Sequence, residues 1–425
     1  MISIKKLLLS IFIICSCVSF LSAQPVFSKF TTKENRTKFN AQLLKTITEG
    51  LSVTLTDSTE ESWEDAFNAA ELIGYHDETL IQRTKTAFID IDKRSTGFQR
   101  SLLEMLYTLQ IKDFKKDALA LLKKSSDAKI IAMCAEYLVM VDPSKENEDN
   151  ITELCYAKAE KLQNEAGSSA IMYELLRHLF SFFEKKNIPD EYPAVLFDKN
   201  YLKGSTVIYS IQRKNRNYPG IVIIKDTAGN FYKDENGSFF SVTQLARSES
   251  NLPGYLTNGN TPQGLFRMYG FDISKSSFIG PTTNIQLTMP LETSVQHFLK
   301  DSSIKDTVWS PELYQQLLPE QLKDFNPLME SFYASLAGRT EIIAHGTTVD
   351  PEFYKGQSYY PLTPTAGCLC SKEIWFANGT RAISDQQLLV DAVKKAGGAN
   401  GYVIVLELND EQKPVSLNDV LIYLK

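Results

Sequence analysis

From Asn35 to Phe183 apolar residues recur at spacings of three and four, with little two-residue alternation. Phe98, Leu102, Leu103, Leu106 and Leu109 form one such stripe. Phe114, Ala118, Leu121 and Leu122 form a second, and Ile130, Ile131, Cys134 and Leu138 a third. Polar caps precede the stripes at Ser58-Thr59-Glu60-Glu61, at Ser95-Thr96 and at Ser168-Ser169 after Gly167. The spacing predicts helices of about 12–18 residues separated by short polar breaks. Residues 24–190 are therefore expected to form an α-helical, solenoid-like domain of stacked pairs, although no fixed sequence repeat is visible.

The period changes near Lys185. Pro189 and Pro193 beside Asp190 and Glu191 mark a break, and residues 191–204 are read as a linker. Beyond it the pattern is that of strands: Thr206 to Ile211, Gly220 to Asp226, Asn230 to Tyr232 and Gly237 to Val242, with Gly, Asp and Asn turns between them. Residues 291–338 return to helical spacing and form an insertion. They are expected either to pack on the sheet or to close over a groove as a lid. A helix is predicted near Ser384–Lys395 and stopped by Gly397-Gly398, and Tyr402 to Leu408 reads as a buried strand.

Two segments do not fit a purely structural role. An apolar run, Ile342-Ile343-Ala344, leads into His345-Gly346-Thr347, and Thr365-Ala366-Gly367-Cys368-Leu369 follows. A thiol is mostly protonated at neutral pH, and an imidazole can take its proton. A glycine before the nucleophile permits a sharp turn and close substrate approach, and N–H groups at that turn can stabilise an oxyanion. His76, His178 and His297 have no second ligand at helical spacing and read as ordinary surface or core residues.

This stretch resembles the signature of the L,D-transpeptidase (YkuD-type) catalytic domain, and Thr261-Pro262-Gln263-Gly264-Leu265-Phe266 resembles that family's upstream hallmark. The resemblance covers residues 205 to about 410. It implies a multidomain α + β protein: the helical domain, then a mainly-β β-sandwich domain over 205–425 with helical insertions. It implies an exported enzyme acting on peptidoglycan stem peptides, with Cys368 as nucleophile and His345 as base. The carbonyl of Gly346 would orient the imidazole, and the N–H groups of Gly367 and Cys368 would serve as oxyanion donors. Thr365, Tyr360 and Arg339 are further site candidates. Transfer of the acyl group to a side-chain amine would form a 3-3 cross-link. Transfer to water would make an L,D-carboxypeptidase or an amidase. A third reading is a catalytically weakened wall-binding module whose helical half docks a protein partner. No metal or organic cofactor is implied. The pattern departs from the family at Ala366, where a histidine is usual, and at Cys370, where a polar residue is usual.

Composition narrows the setting. Lys5-Lys6, an apolar run from Leu7 to Leu21 and Ser22-Ala23 read as a signal peptide spanning 1–23, which places the mature chain in the periplasm or cell envelope. Cys15 and Cys17 lie in that run and make a poor lipoprotein box. Its removal takes Lys5 and Lys6 and moves the formal charge from −6 to −8. With no basic patch or arm, nucleic acid is excluded as a partner. In an oxidising compartment Cys134 and Cys155 are either bridged or two buried free thiols.

Overall fold

The structure, a computed structural model, describes residues 25–180, 189, 190 and 192–424. The expected signal peptide and its cysteines lie outside the described residues. The helical region contains α1 (Lys33–Gly50), α2 (Glu60–Ile73), α3 (Glu78–Phe88), α4 (Thr96–Thr108), α5 (Lys115–Lys124), α6 (Ala128–Val141), α7 (Lys145–Leu162) and α8 (Ala166–Leu179). Of the starts marked in the sequence, Ser95 caps α4, Thr59 makes no cap bond to α2, and α8 begins ahead of Ser168-Ser169. The side chains of Asp77, Ser95 and Asp127 accept the N–H of Leu80, Phe98 and Ile130 at 2.8, 3.1 and 3.0 Å. The helices stack in two rows. The inner row is α2, α4, α6 and α8, and its apolar stripes, with Trp63, Phe67, Phe98, Leu138 and Leu175, form a continuous core.

Each inner helix carries a glutamate at an equivalent place: Glu71, Glu104, Glu136 and Glu174, in the triplets Ala-Glu-Leu, Leu-Glu-Met, Ala-Glu-Tyr and Tyr-Glu-Leu. The interval of roughly 32–38 residues is that of a helical-pair repeat. Three of the four reach the second domain. Glu104 accepts from Asn258 at 3.3 Å and Glu136 from the Tyr255 hydroxyl at 2.6 Å, and Arg177 links Glu174 to Glu330. Leu252, Tyr255, Leu256 and Ala337 complete the helical core from the other side.

The second domain is not the β-sandwich expected. Its strands are β1 (Val207–Gln212), β2 (Gly220–Lys225), β3 (Val242–Leu245), β4 (Gly264–Ile273), β5 (Thr283–Thr288), β6 (Ala344–His345), β7 (Leu369–Ser371) and β10 (Tyr402–Glu407). They close into one mixed barrel in the order β1-β10-β4-β5-β6-β7-β3-β2, with β8 (Glu373–Trp375) and β9 (Arg381–Ser384) as a separate ribbon. The physical reason lies in two parallel pairings, one of them between the first and last strands of the domain. β1 pairs with β10 (Val207 opposite Tyr402), and β6 pairs with β7 (His345 opposite Cys370). These pairings close the edges that two packed sheets would leave open. Strand alternation cannot reveal which distant strand is the neighbour.

Side chains divide between two cores. Ile208, Val222, Phe266, Ile285, Ala344, Leu369 and Val403 fill the interior with Leu389, Val390 and Val393 of the helix Asp385–Lys395. The outer face of β1, β2, β4 and β10 is covered by the 291–338 insertion through Phe298, Tyr314, Leu328 and Phe332. Leu196 and Phe197, within the stretch read as a linker, are buried in the same layer. Coverage on both faces explains why every residue of β1 and β2 is buried. The insertion packs on this wall as a layer, and its Glu292 accepts the N–H of Glu341, whose carbonyl meets the Cys368 thiol. Among the described residues no helix is long and apolar enough to cross a membrane.

Candidate active site

β6 and β7 lie side by side, and their register places the chemistry. Ala344 and Leu369 point into the barrel core. His345 and Cys370, paired across the strands, therefore point outward. Cys368 occupies the bend immediately before β7, two residues ahead of the strand partner of His345. No hydrogen bond joins the two among the described residues. The Cys368 thiol instead donates to the Glu341 carbonyl and accepts the Ile343 N–H, each at 3.5 Å. It is half-buried, whereas Cys370 is sealed at 1% exposure. Cys134 and Cys155 are buried free thiols.

Three elements build the turn before the thiol. Gly367 has φ 114°, a backbone region closed to other residues, and an added Cβ would lie 1.9 Å from Arg339 Nη2 and 2.4 Å from the Gly259 carbonyl. The Thr365 hydroxyl accepts the Gly367 N–H and donates to the Cys368 carbonyl, both at 3.0 Å. The Thr261 hydroxyl donates to the Gly367 carbonyl at 2.8 Å, so the upstream Thr-Pro-Gln-Gly segment holds the nucleophile turn directly. The Gly367 N–H, expected to be an oxyanion donor, already donates to Thr365 and cannot fill that role. The Cys368 N–H makes no hydrogen bond to a described residue and remains the candidate donor.

Arg339 does not present a free guanidinium to a substrate carboxylate. It is 5% exposed and donates to the carbonyls of Gly254, Gly259 and Asn260. Burial lowers its pKa to about 10, while the Cys368 and Glu104 charges oppose that shift. In return its charge draws the Cys368 pKa down against burial, which raises it. Tyr360 is exposed, donates to Glu352 at 2.9 Å and contacts neither Cys368 nor His345. Tyr354 and Tyr359 of the same long loop pack with Leu245 and Leu362 over the outside of the barrel.

Of the four histidines only His345 is buried. Its Nδ1 lies 2.5 Å from the Gly346 carbonyl, which fixes the neutral tautomer with the proton on Nδ1 and the Nε2 lone pair free. Nε2 has no partner among the described residues and is not among the fully enclosed unpartnered atoms, so it keeps an opening to solvent. Glu373 holds this turn, a role with no signal in the sequence. Its buried carboxylate accepts the Thr347 N–H at 3.1 Å and the hydroxyls of Thr282 and Ser384. It fills the space where a Gly346 Cβ would sit, 2.3 Å from the carboxyl carbon. Gly346→Ala must displace a carboxylate anchored on all sides. It is expected to cost about 2–3 kcal/mol in denaturant unfolding, the range of a core overpacking change.

Burial also lowers the His345 pKa to about 4, the Gly346 carbonyl opposing. In the unfolded chain the imidazole titrates near 6.5. The unfolded state therefore binds the proton first. The contribution of His345 is complete above about pH 6.5 and is lost as pH falls toward 4, by about 3 kcal/mol over that interval. Urea unfolding at pH 7 and pH 4.5 should show His345→Gln losing less stability on acidification than the parent protein.

Among the described residues no His, Cys, Asp and Glu side chains gather as a metal-binding set. The fold and site together define a helical array packed on a closed mixed barrel, with a half-buried thiol just before β7 and a buried neutral imidazole at the end of β6. No family model, no curated protein and no solved structure matches the chain.

Proposed function

We propose that this protein is an exported cysteine acyltransferase of the L,D-transpeptidase type, acting on peptidoglycan stem peptides. The observation that carries the reading is the position of Cys368 two residues before Cys370, the strand partner of His345, with His345 Nδ1 held by the Gly346 carbonyl. In this reading the Cys368 sulfur attacks the carbonyl between the diamino acid and a terminal D-alanine. His345 Nε2 takes the thiol proton and delivers it to the leaving amine. The Cys368 N–H holds the oxyanion. A raised thiol pKa and a lowered imidazole pKa disfavour a resting thiolate–imidazolium pair. Proton transfer then accompanies attack and does not precede it. The same pair of shifts favours, as a second reading, a slow enzyme or a wall-binding module.

Digestion of wall material separates the outcomes. Dimers joined through two diamino acids support transfer, tripeptides alone support an L,D-carboxypeptidase, and unaltered muropeptides overturn both. A protein partner of the helical domain would use its outer row, since the barrel domain covers the inner one.

A further inference from the structure

The start of α1 lies against the loop that follows His345, and between them is a cavity of about 320 Å³. Its apolar walls are Phe30 and Phe39 from the helical region, Phe278 from the β4–β5 connection, and Val349 and Phe353 from the loop. The loop is fixed where it passes the cavity. The Thr348 N–H donates to the Phe278 carbonyl at 2.9 Å, and the Thr347 hydroxyl donates to the same oxygen at 3.3 Å. Phe39 meets Phe278 edge-on, with ring centres 5.9 Å apart. Phe30, Phe39 and Phe278 remain 43, 38 and 46% exposed, so these rings form an open mouth and not a sealed core.

One guanidinium lies in this apolar setting. Arg36, in the first turn of α1, borders the cavity, and its side chain is 20% exposed. The guanidinium makes no hydrogen bond to a described residue. Its one ion contact among them is Asp350, 3.3 Å from Nη1, and Nε and Nη2 are buried without an acceptor. Asp350 Oδ1 is shared, since it also accepts the Glu352 N–H at 3.3 Å. Burial lowers the Arg36 pKa, and the Asp350 and Glu352 charges oppose that shift. An arginine does not shed its proton at neutral pH, so only an acceptor relieves its buried N–H groups.

We propose that this cavity binds a carboxylate carried on an aromatic body, with the ring among the phenylalanines and the carboxylate on Arg36. The site is separate from the Cys368 chemistry and does not depend on the acyl-transfer reading. Nη1 is not among the enclosed atoms, so an incoming carboxylate meets it first. A small turn of the planar group then offers Nη2 to the second oxygen, the two-pronged pairing that guanidinium and carboxylate favour. Charge selects the occupant. Lys29 and Arg36 border the cavity against the single acid Asp350. An amine would meet two cations, and an uncharged apolar molecule would leave Nε and Nη2 without an acceptor. Size agrees, because the cavity lies at the small end of ligand pockets, about 300–1,000 Å³, and suits one ring with a short acidic arm.

The site is tested by ligand-observed NMR titration of the full chain at neutral pH. The probes are phenylpropionate, its amide phenylpropionamide, which keeps the ring without the charge, and propionate, which keeps the charge without the ring. Phenylpropionate is expected to bind about tenfold tighter than either, as for a charged hydrogen bond added to ring burial. Arg36→Met should weaken phenylpropionate about tenfold and leave phenylpropionamide unchanged. Phe278→Ala should weaken both. Arg36→Lys keeps the charge without the fork and should fall between the parent and Arg36→Met, which provides a second reading if the methionine variant does not fold. Lys38→Met, at an exposed cation further along α1, serves as control. An acetylated tripeptide ending in phenylalanine with a free carboxyl group separates two sources of this chemistry. Tighter binding than phenylpropionate assigns the carboxylate to a chain end, weaker binding assigns it to a free acid, and both uphold the site. Equal affinity for phenylpropionate and its amide, no binding of phenylpropionate, or indifference to Arg36→Met overturns it.

Discussion

Cys368→Ala is expected to abolish covalent capture of the acyl group. Intact-mass measurement after exposure to a carbapenem, or to a tetrapeptide ending in a diamino acid and D-alanine, should show one adduct on the parent protein and none on the variant. The other described cysteines give an internal control. Cys134, Cys155 and Cys370 are sealed, and burial raises the pKa of each thiol. A sealed thiol is poorly reactive. His345→Gln keeps the polar shape but removes the base, and should slow adduct formation by about 10²–10⁴. If Cys368 labels no faster than a free thiol and is indifferent to His345→Gln, the wall-binding reading replaces the enzymatic one.

Arg339→Met is the second change with a large expected effect, on stability and chemistry together. Three carbonyls of the 254–260 loop lose their donor, and each buried acceptor left unpaired costs about 1–3 kcal/mol. Relaxation of the loop recovers part of this, so a net loss of about 3–5 kcal/mol in unfolding free energy is expected, as for breaking a buried charge network. The same substitution removes the positive charge that draws the Cys368 pKa down. The pH profile of iodoacetamide alkylation at Cys368 should then move upward. Arg339→Lys separates the two roles. It keeps the charge but lacks the planar fork that reaches several carbonyls at once. It should largely restore the alkylation profile while leaving the loop destabilised. An unmoved profile in Arg339→Met would show that the guanidinium serves the loop alone.

The helical half was legible because it is made of local contacts. Phe98, Leu102 and Leu106 lie on one helix face whatever packs against them, and Ser95 caps its own helix. The repeat was harder to see. It resides in one glutamate per inner helix and not in a string of matched residues, and Glu104 and Glu136 find their partners, Asn258 and Tyr255, in the other domain. The strands at Val207–Gln212, Gly220–Lys225 and Tyr402–Glu407 were legible as apolar runs. Their closure into a barrel was not, because β10 pairs with β1 from the far end of the chain. The packing of the 291–338 insertion on the barrel was not legible for a similar reason. The apolar residues of a lid and of a buried layer have the same composition, and only the position of Tyr314 and Phe332 against β4 separates them.

The candidate site divides along the same line. The sequence by itself determined the residues capable of the chemistry: a thiol after a glycine, a histidine at the end of an apolar run, and a Thr-Pro-Gln-Gly segment upstream. Their reactivity is a matter of geometry. Register across β6 and β7 pairs His345 with Cys370, two residues beyond Cys368, Glu373 fills the space over Gly346, and the Thr365 hydroxyl takes the Gly367 N–H. Burial, a property of the surrounding chain, lowers the imidazole pKa and raises those of the nearby carboxyl groups. Arg339 became a clamp for the same reason. Hydrogen bonds and desolvation depend on which distant segments meet, and tertiary structure alone decides that.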